Sequence, residues 1–214
     1  MNPGSGQGRT HWAIVRVILG PHCDHGSMLD GPVDMATACR ALPGLPPYGE
    51  LPLRFSAHGG GTHSEGFVVE FQIGTDQKWV GNFVRGLNKF DWIGSHPNDR
   101  EALVVAGGQG YLIEPNLRTV LSTFGGAIEG VLHYAPLQAL VFNYQGLLFE
   151  SLGPKGTLWK TRRISWDGMG DIRISGSTLS GEAWDALHDT WREFQVNLET
   201  GVAVGGAFPE KLDR

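Results

Sequence analysis

Apolar and polar positions alternate along most of the chain after residue 66, and this period-two pattern predicts β-strands. The runs "GFVVEFQI" and "KWVGNFV", separated by the turn-like "GTDQ", predict a β-hairpin over Phe67–Val84. Short strands around Ser175-Gly176-Ser177 and around Thr200-Gly201 continue the pattern. We therefore predict a repetitive, mainly β domain over residues 66–214.

Two segments of this domain resemble each other. The first, "ALVVAGGQGYLIEPNLRTVLSTF", covers Ala102–Phe124, and the second, "ALVFNYQGLLFESLGPKGTLWKTRRI", covers Ala139–Ile164. Each reads as a strand, a Gln-Gly pair that turns the chain, a second strand, a polar turn and a third strand. Their starts lie 37 residues apart, a spacing typical of repeated four-stranded units. We predict three or four successive β-meander units of about 40 residues.

Successive antiparallel units of this length resemble the blades of β-propellers, and the resemblance implies sheets that stack face to face. An open sheet stack, a sandwich or a distorted barrel with the amino-terminal helix packed on one side satisfies the same pattern, and these alternatives stay open at the level of sequence. An open repeat leaves unpaired strand edges, through which the chain could form homo-oligomers.

Residues 1–65 differ from the rest because they are irregular and rich in Gly, Pro and His. We predict that this segment packs on the repetitive domain. Its strand candidates are His11–Leu19 and Leu51–Ala57, which are rich in β-branched or alternating apolar residues.

A short helix is predicted between these two strands. Pro32 occupies its first position, where a missing N–H costs nothing, and Asp34 lies in its first turn, where a negative charge suits the helix dipole. Pro43-Gly44 ends it. One apolar stripe is formed by Met35, Ala38, Cys39 and Leu42. Cys39 is therefore interpreted as a core residue.

Composition and charge narrow the classes of function. The chain has 214 residues, a net charge of −5, seven Trp and ten Phe, which favours a folded protein and argues against a nucleic-acid partner. An acidic surface suits a basic protein partner. The amino terminus lacks the features of a secretion signal, and no apolar run reaches the ~20 residues of a membrane span. We expect a cytoplasmic protein with no membrane partner and with Cys23 and Cys39 reduced.

The glycine cluster Gly107–Gly110 does not match a nucleotide-binding motif. A dinucleotide fingerprint needs a third glycine, which would fall on Ile113, and a helix after it. A P-loop needs a Gly-Lys-Ser/Thr sequence, and a hydrolase elbow needs G-x-S-x-G; the sequence has neither at such a position. We therefore interpret the glycines as a turn, predict no cofactor and lean toward a protein that is not an enzyme.

One group of residues offers a metal-binding alternative. Imidazole, thiolate and carboxylate groups are competent zinc ligands, and glycine-rich loops let separated ligands converge. The candidate zinc ligands are His22, Cys23, Asp24, His25, His58 and His63. Their spacing matches neither C-x-x-C nor H-E-x-x-H. A metal-dependent hydrolase is thus the alternative to a binding protein.

The aromatic residues suggest where a partner would bind. Trp79, Trp159 and Trp184 lie in strand-like runs and are interpreted as core residues. The candidate binding patch combines loop tryptophans with the polar and aromatic residues near the carboxyl terminus: Trp92, Trp166, Trp184, Asp185, His188 and Trp191. The leading hypothesis is a non-catalytic binding protein that engages another protein, for example by neutralising or scaffolding a basic one. Binding of a carbohydrate or another small ligand by exposed Trp is a further alternative.

Overall fold

The computed structural model describes residues 38–57, 59 and 65–209. These residues form sixteen β-strands in four sheets of four strands each, with one short 3₁₀ turn at Ala135–Leu137. The prediction of a mainly β fold built from successive antiparallel units is confirmed. No helix in this part of the chain is long and apolar enough to cross a membrane.

Sheet 1 has the strand order β1-β3-β4-β2. Its strands are β1 (Ala38–Ala41), β2 (Leu53–Phe55), β3 (Phe67–Ile73) and β4 (Gln77–Phe83). The predicted hairpin is confirmed as the antiparallel pair β3–β4, and the predicted strand Leu51–Ala57 is present as the shorter β2. Strands on both sides of residue 65 pair in this sheet, since β1 pairs with β3 and β2 runs parallel to β4.

The predicted helix is wrong where the structure describes it. Ala38–Ala41 is a strand that pairs with β3, with Cys39 opposite Phe71. Arg40 on the alternate face bonds Glu70, whereas Cys39 packs against the apolar core. Pairing with a neighbouring strand therefore overrides a weak local helix preference. The rest of the predicted helix, residues 32–37, and the strand candidate His11–Leu19 lie outside the described residues.

Sheets 2, 3 and 4 are meanders, in which each strand pairs with the next strand of the chain. Sheet 2 consists of β5 (Trp92–Ser95), β6 (Ala102–Ala106), β7 (Gln109–Glu114) and β8 (Thr119–Gly125). Sheet 3 consists of β9 (Ile128–Tyr134), β10 (Ala139–Tyr144), β11 (Leu148–Gly153) and β12 (Gly156–Lys160). Sheet 4 consists of β13 (Met169–Ser175), β14 (Thr178–Asp185), β15 (Thr190–Asn197) and β16 (Ala203–Gly205).

Each sheet packs on the next sheet in the chain. In β6, Val104 belongs to the apolar core shared with sheet 1, whereas Leu103 and Val105 belong to the core shared with sheet 3. In β10, Phe142 faces sheet 2 and Val141 faces sheet 4. Successive side chains of a strand point to opposite faces, so these strands are buried on both sides and read as continuous apolar runs. Burial of each such side chain stabilises the fold by about 1.5–3 kcal/mol.

Two tryptophans link neighbouring sheets. The indole N–H of Trp79 in sheet 1 donates to the carbonyl of Pro115 after β7 at 3.0 Å. The indole N–H of Trp159 in sheet 3 donates to the carbonyl of Leu198 after β15 at 2.8 Å. Both side chains are buried, as predicted, whereas Trp184 is only half-buried. A buried indole needs a partner for its N–H, and here that partner belongs to the next sheet.

The glycine cluster is a hairpin turn, and one detail of the predicted repeat is wrong. Gly107 and Gly108, with φ of 54° and 85°, turn the chain between β6 and β7. In sheet 3 the corresponding turn is Gln145-Gly146. The pair Gln109-Gly110 lies inside β7 instead, because one extra residue precedes it in the first unit. A Cβ at Gly110 would lie 2.5 Å from the ring of Phe124, so a larger residue there would force that ring to move.

Candidate functional site

The hairpin β14–β15 brings four of the predicted patch residues together. Trp184 on β14 is directly opposite Trp191 on β15, and Asp185 is opposite Thr190. His188 lies in the connecting loop, 2.8 Å from the carboxylate of Asp185. Trp184 and Asp185 precede the short loop of residues 186–189, and Trp191 follows it, so this loop brings the three side chains to one end of the hairpin.

Asp185 organises this end of the hairpin. Its Oδ2 atom lies 2.8 Å from Nε of Arg192 and 2.8 Å from Nδ1 of His188. Its Oδ1 atom accepts the backbone N–H of Leu187 at 3.1 Å. The carboxylate is buried and bonded on both oxygens, so the loop is fixed relative to β15.

Desolvation acts to raise the pKa of Asp185, but hydrogen bonds from Arg192, His188 and Leu187 outweigh it and lower that pKa to about 2. The carboxylate is therefore ionised at neutral pH. General acid–base catalysis works best with a group whose pKa lies near the working pH. Asp185 accordingly suits a structural role better than an acid–base role.

The hairpin presents aromatic and apolar surface to solvent. Trp191 is 48% exposed and Leu187 is 69% exposed. The rings of Trp184 and Trp191 meet edge to face, with centroids 5.2 Å apart and an interplanar angle of 61°. This arrangement is a favourable one for aromatic pairs, so each ring holds the other in place. A rigid, half-exposed tryptophan is the kind of side chain that anchors protein interfaces.

Two carboxylates lie beside this pair on the same face of sheet 4. Glu182 on β14 is directly opposite Glu193 on β15, two residues from Trp184 and Trp191 respectively. Among the described residues, no cation forms an ion pair with either carboxylate. Like charges opposite each other destabilise a strand pair, so this arrangement has a cost within the isolated hairpin. We call Glu182, Trp184, Trp191 and Glu193 the tryptophan patch.

A glycine keeps the patch open on the side of β13. Gly170 pairs with Glu182, and a Cβ at Gly170 would lie 3.8 Å from the ring of Trp191. A larger side chain at this position would cover the edge of that ring. Arg173 is on the same face, one row away opposite Ser180.

The other two tryptophans of the predicted patch lie elsewhere. The backbone N–H of Trp166 reaches the carbonyl of Trp184 at 3.3 Å, but its ring packs on Phe208 and under Arg163. Trp92 is in β5 of sheet 2 and packs against the core between sheets 2 and 3. Neither ring joins the tryptophan patch.

The predicted zinc ligands His22, Cys23, Asp24, His25, His58 and His63 lie outside the described residues. Within residues 38–57, 59 and 65–209, no group of three or more His, Cys, Asp or Glu side chains is placed to hold a metal ion. The zinc site remains a prediction.

Sequence reasoning did not place Glu182 and Glu193 in the patch, although a signal was present. The segments Glu182-Ala183-Trp184 and Trp191-Arg192-Glu193 mirror each other around the loop. In a hairpin of that register, mirrored residues become cross-strand neighbours on one face. The mirror therefore indicates both the register and the pairing of the two carboxylates.

No protein-family model and no curated protein sequence matches the chain. Solved structures similar to it include the β-propeller domain of Cps50 (Swd1) from Myceliophteria thermophila, with a TM-score of 0.40 and 12% identity over 68% of this chain. A eukaryotic initiation factor structure gives a TM-score of 0.36 and 10% identity over 67% of the chain. A chain in a crystal structure of the mitotic checkpoint complex gives a TM-score of 0.38 and 10% identity over 89%.

The chain spans 55%, 40% and 61% of those three structures, respectively. All three TM-scores lie below 0.5. These similarities carry no argument about the fold, and the architecture described above is defined by the strands and sheet interfaces of this chain.

Proposed function

We propose that the protein is a non-catalytic cytoplasmic interaction protein that binds a basic segment of a protein partner on the tryptophan patch. The observation that carries this proposal is the pair of opposed carboxylates, Glu182 and Glu193, beside the half-exposed ring of Trp191. An unpaired acidic couple next to an aromatic ring is complementary to a lysine or arginine side chain.

The chemistry of recognition follows from these groups. A guanidinium or ammonium group over the face of Trp191 gains a cation–π interaction of about 0.5–2 kcal/mol. The same cation also relieves the repulsion between Glu182 and Glu193. The net charge of −5 adds a long-range attraction for a basic partner, which speeds association at low salt.

Rigidity supports a binding role as well. Asp185 holds the loop through Arg192 and His188, and the edge-to-face contact holds Trp184 and Trp191. Side chains that are already ordered lose less entropy when a partner binds. The depressed pKa of Asp185 fits this structural role and gives no support to acid–base chemistry at the hairpin.

A titration with synthetic peptides tests the proposal. An acetylated, amidated peptide with two arginines and two lysines separated by glycines should bind the protein and quench Trp fluorescence, and the same peptide with four glutamines should not. Glu182→Gln/Glu193→Gln and Trp191→Ala should each weaken binding about tenfold or more. Glu199→Gln/Asp76→Asn, which removes two exposed carboxylates in turns outside the patch, is the matched control for charge and should leave binding unchanged.

Other outcomes of the titration would contradict the proposal. If the double Glu variant binds the basic peptide as tightly as the unmodified protein, the carboxylates do not form the site. If a neutral glycan quenches Trp191 and the double Glu variant responds equally, the patch binds carbohydrate instead. Affinity purification with the same two variants as negative controls then identifies a cellular partner that depends on the patch.

A further inference from the structure

A cleft opens between sheets 2 and 3, on the side of the molecule formed by the two repeated segments. It encloses about 240 Å³. The lining residues that matter here are Leu103, Leu112 and Phe124 from sheet 2, and Phe142, Tyr144 and Glu150 from sheet 3. We infer that this cleft binds a small aromatic amine, with its ring among the aromatic side chains and its ammonium group beside Glu150.

The cleft exists because this interface is filled less completely than the interface between sheets 1 and 2. Between sheets 1 and 2, the rings of Phe71, Phe83 and Tyr111 are fully buried. Between sheets 2 and 3, Phe142 is buried, but Phe124 and Tyr144 keep part of their surface accessible. Closely packed interiors leave few voids larger than a water molecule, so an opening of this size is large enough to be a candidate ligand site.

Three rings form one aromatic wall of the cleft. The ring of Phe142 meets Phe124 edge to face at 5.3 Å and lies 6.4 Å from the ring of Tyr144. Ligand sites are typically concave, mainly apolar and supplied with a few polar groups, and this cleft fits that description. Since an apolar cavity of about 150 Å³ holds benzene, 240 Å³ accepts a larger ring with a short side chain.

The polar end of the cleft already holds an ammonium group. Glu150 accepts the Thr157 hydroxyl at 3.1 Å, and burial and the nearby Glu150 carboxylate raise the pKa of the Tyr144 phenol. Nζ of Lys160 lies 3.7 Å from Glu150 Oε2 and 5.6 Å from the centroid of the Tyr144 ring. Lys160 therefore shows that an ammonium group fits between the Glu150 carboxylate and the face of the Tyr144 ring.

The contacts of the Lys160 ammonium group are weak, so the ammonium group of a ligand can replace it. Its side chain is 56% exposed, and the ion pair with Glu150 is long at 3.7 Å. Such exposed pairs contribute little to the stability of a protein. An amine tethered to a ring in the cleft would bring its ammonium group to the same place and release Lys160 to solvent.

Fluorine NMR with three related probes tests the inference. The probes are 5-fluorotryptamine, 5-fluoroindole and 5-fluoroindole-3-propionate, which share a ring and differ in charge. We expect the amine to bind most tightly and the acid most weakly. Glu150→Gln should weaken binding of the amine about tenfold and leave the neutral indole unchanged. Lys160→Gln should strengthen binding of the amine, because it removes the competing ammonium group.

A cleft-filling variant tests the location. Leu112→Phe places a larger side chain in the cleft and should abolish binding of all three probes, provided that its far-ultraviolet circular dichroism is unchanged. Glu114→Gln, on the same strand but outside the cleft lining, is its control. Equal affinity for the three probes, absence of binding, or an amine affinity that ignores both Glu150→Gln and Lys160→Gln would overturn the inference. Each of these results is independent of peptide binding to the tryptophan patch.

Discussion

Asp185 and Arg192 form a contact across the β14–β15 hairpin, with Arg192 Nε 2.8 Å from Asp185 Oδ2. With His188 and Leu187, this contact lowers the pKa of Asp185 from 3.8 to about 2. A depressed pKa means that the folded state favours the ionised carboxylate. The resulting stabilisation is present above about pH 4 and is lost as the pH falls toward 2. We expect the protection factor of the Leu187 backbone N–H, which is the exchange rate corrected for its intrinsic pH dependence, to fall over this range.

Asp185→Asn is the control for this pH dependence. The amide keeps the shape of the side chain but cannot ionise, so the Leu187 N–H should have a lower protection factor at pH 6, and this factor should not fall further between pH 4 and 2. If both proteins show the same profile, another group governs the acid sensitivity of the hairpin.

Gly107 and Gly176 form a matched pair that separates two costs of replacing a turn glycine, namely the strain of a left-handed backbone and a steric clash of the new Cβ. Both have positive φ, 54° and 59°, but a Cβ at Gly107 would meet the Asn88 carbonyl at 2.8 Å, whereas nothing lies within 4 Å at Gly176. Gly176→Ala should cost about 1–2 kcal/mol of unfolding free energy from the left-handed backbone alone. Gly107→Ala should cost about 1–3 kcal/mol more because of the clash. Urea unfolding measures both values.

A result in which the two alanine variants are equally destabilised would contradict this account. It would mean that the loop before β5, which contains Asn88, moves away without cost. The m-value should stay constant in both variants, since neither change alters the surface exposed on unfolding.

Strands β6 and β10 could be predicted from their own sequences. β6 and β10 are apolar at successive positions because sheets cover both of their faces. β1 was not predictable in this way. Only the pairing of Ala38–Ala41 with β3 makes it a strand, and that partner lies about thirty residues further along the chain.

The same distinction applies to the site. Trp184, Asp185, His188 and Trp191 are close in sequence, so one loop brings them together. Trp92 is distant in sequence, and loop-like composition gave no information on which sheet it joins. The residue types indicated which side chains could be exposed. The strand register determines which of those side chains lie on the same face of a sheet.

Tyr111 connects sheet 2 to the strand end of sheet 1. Its hydroxyl donates to the carbonyl of Val84 at 2.7 Å, and burial raises the pKa of the phenol. Tyr111→Phe keeps the packing and removes the donor, so it should cost about 1–2 kcal/mol. Tyr48→Phe is the control, because Tyr48 is 90% exposed and should change stability by less than about 0.5 kcal/mol. Equal midpoints for the two variants in urea would contradict a structural role for the Tyr111 hydroxyl.

Cys39 tests the position of β1 against sheet 1. Burial raises the pKa of its thiol to about 12, and the side chain packs on the core between sheets 1 and 2. Since the thiolate is the reactive form, a Cys23→Ser variant should react with Ellman's reagent at pH 8 at least about tenfold more slowly when folded than in 6 M guanidinium chloride. Arg40→Ala, which removes the bonds to Glu70 and loosens β1, should speed the reaction of the folded protein. Fast reaction of the folded Cys23→Ser protein would show that β1 leaves sheet 1 readily.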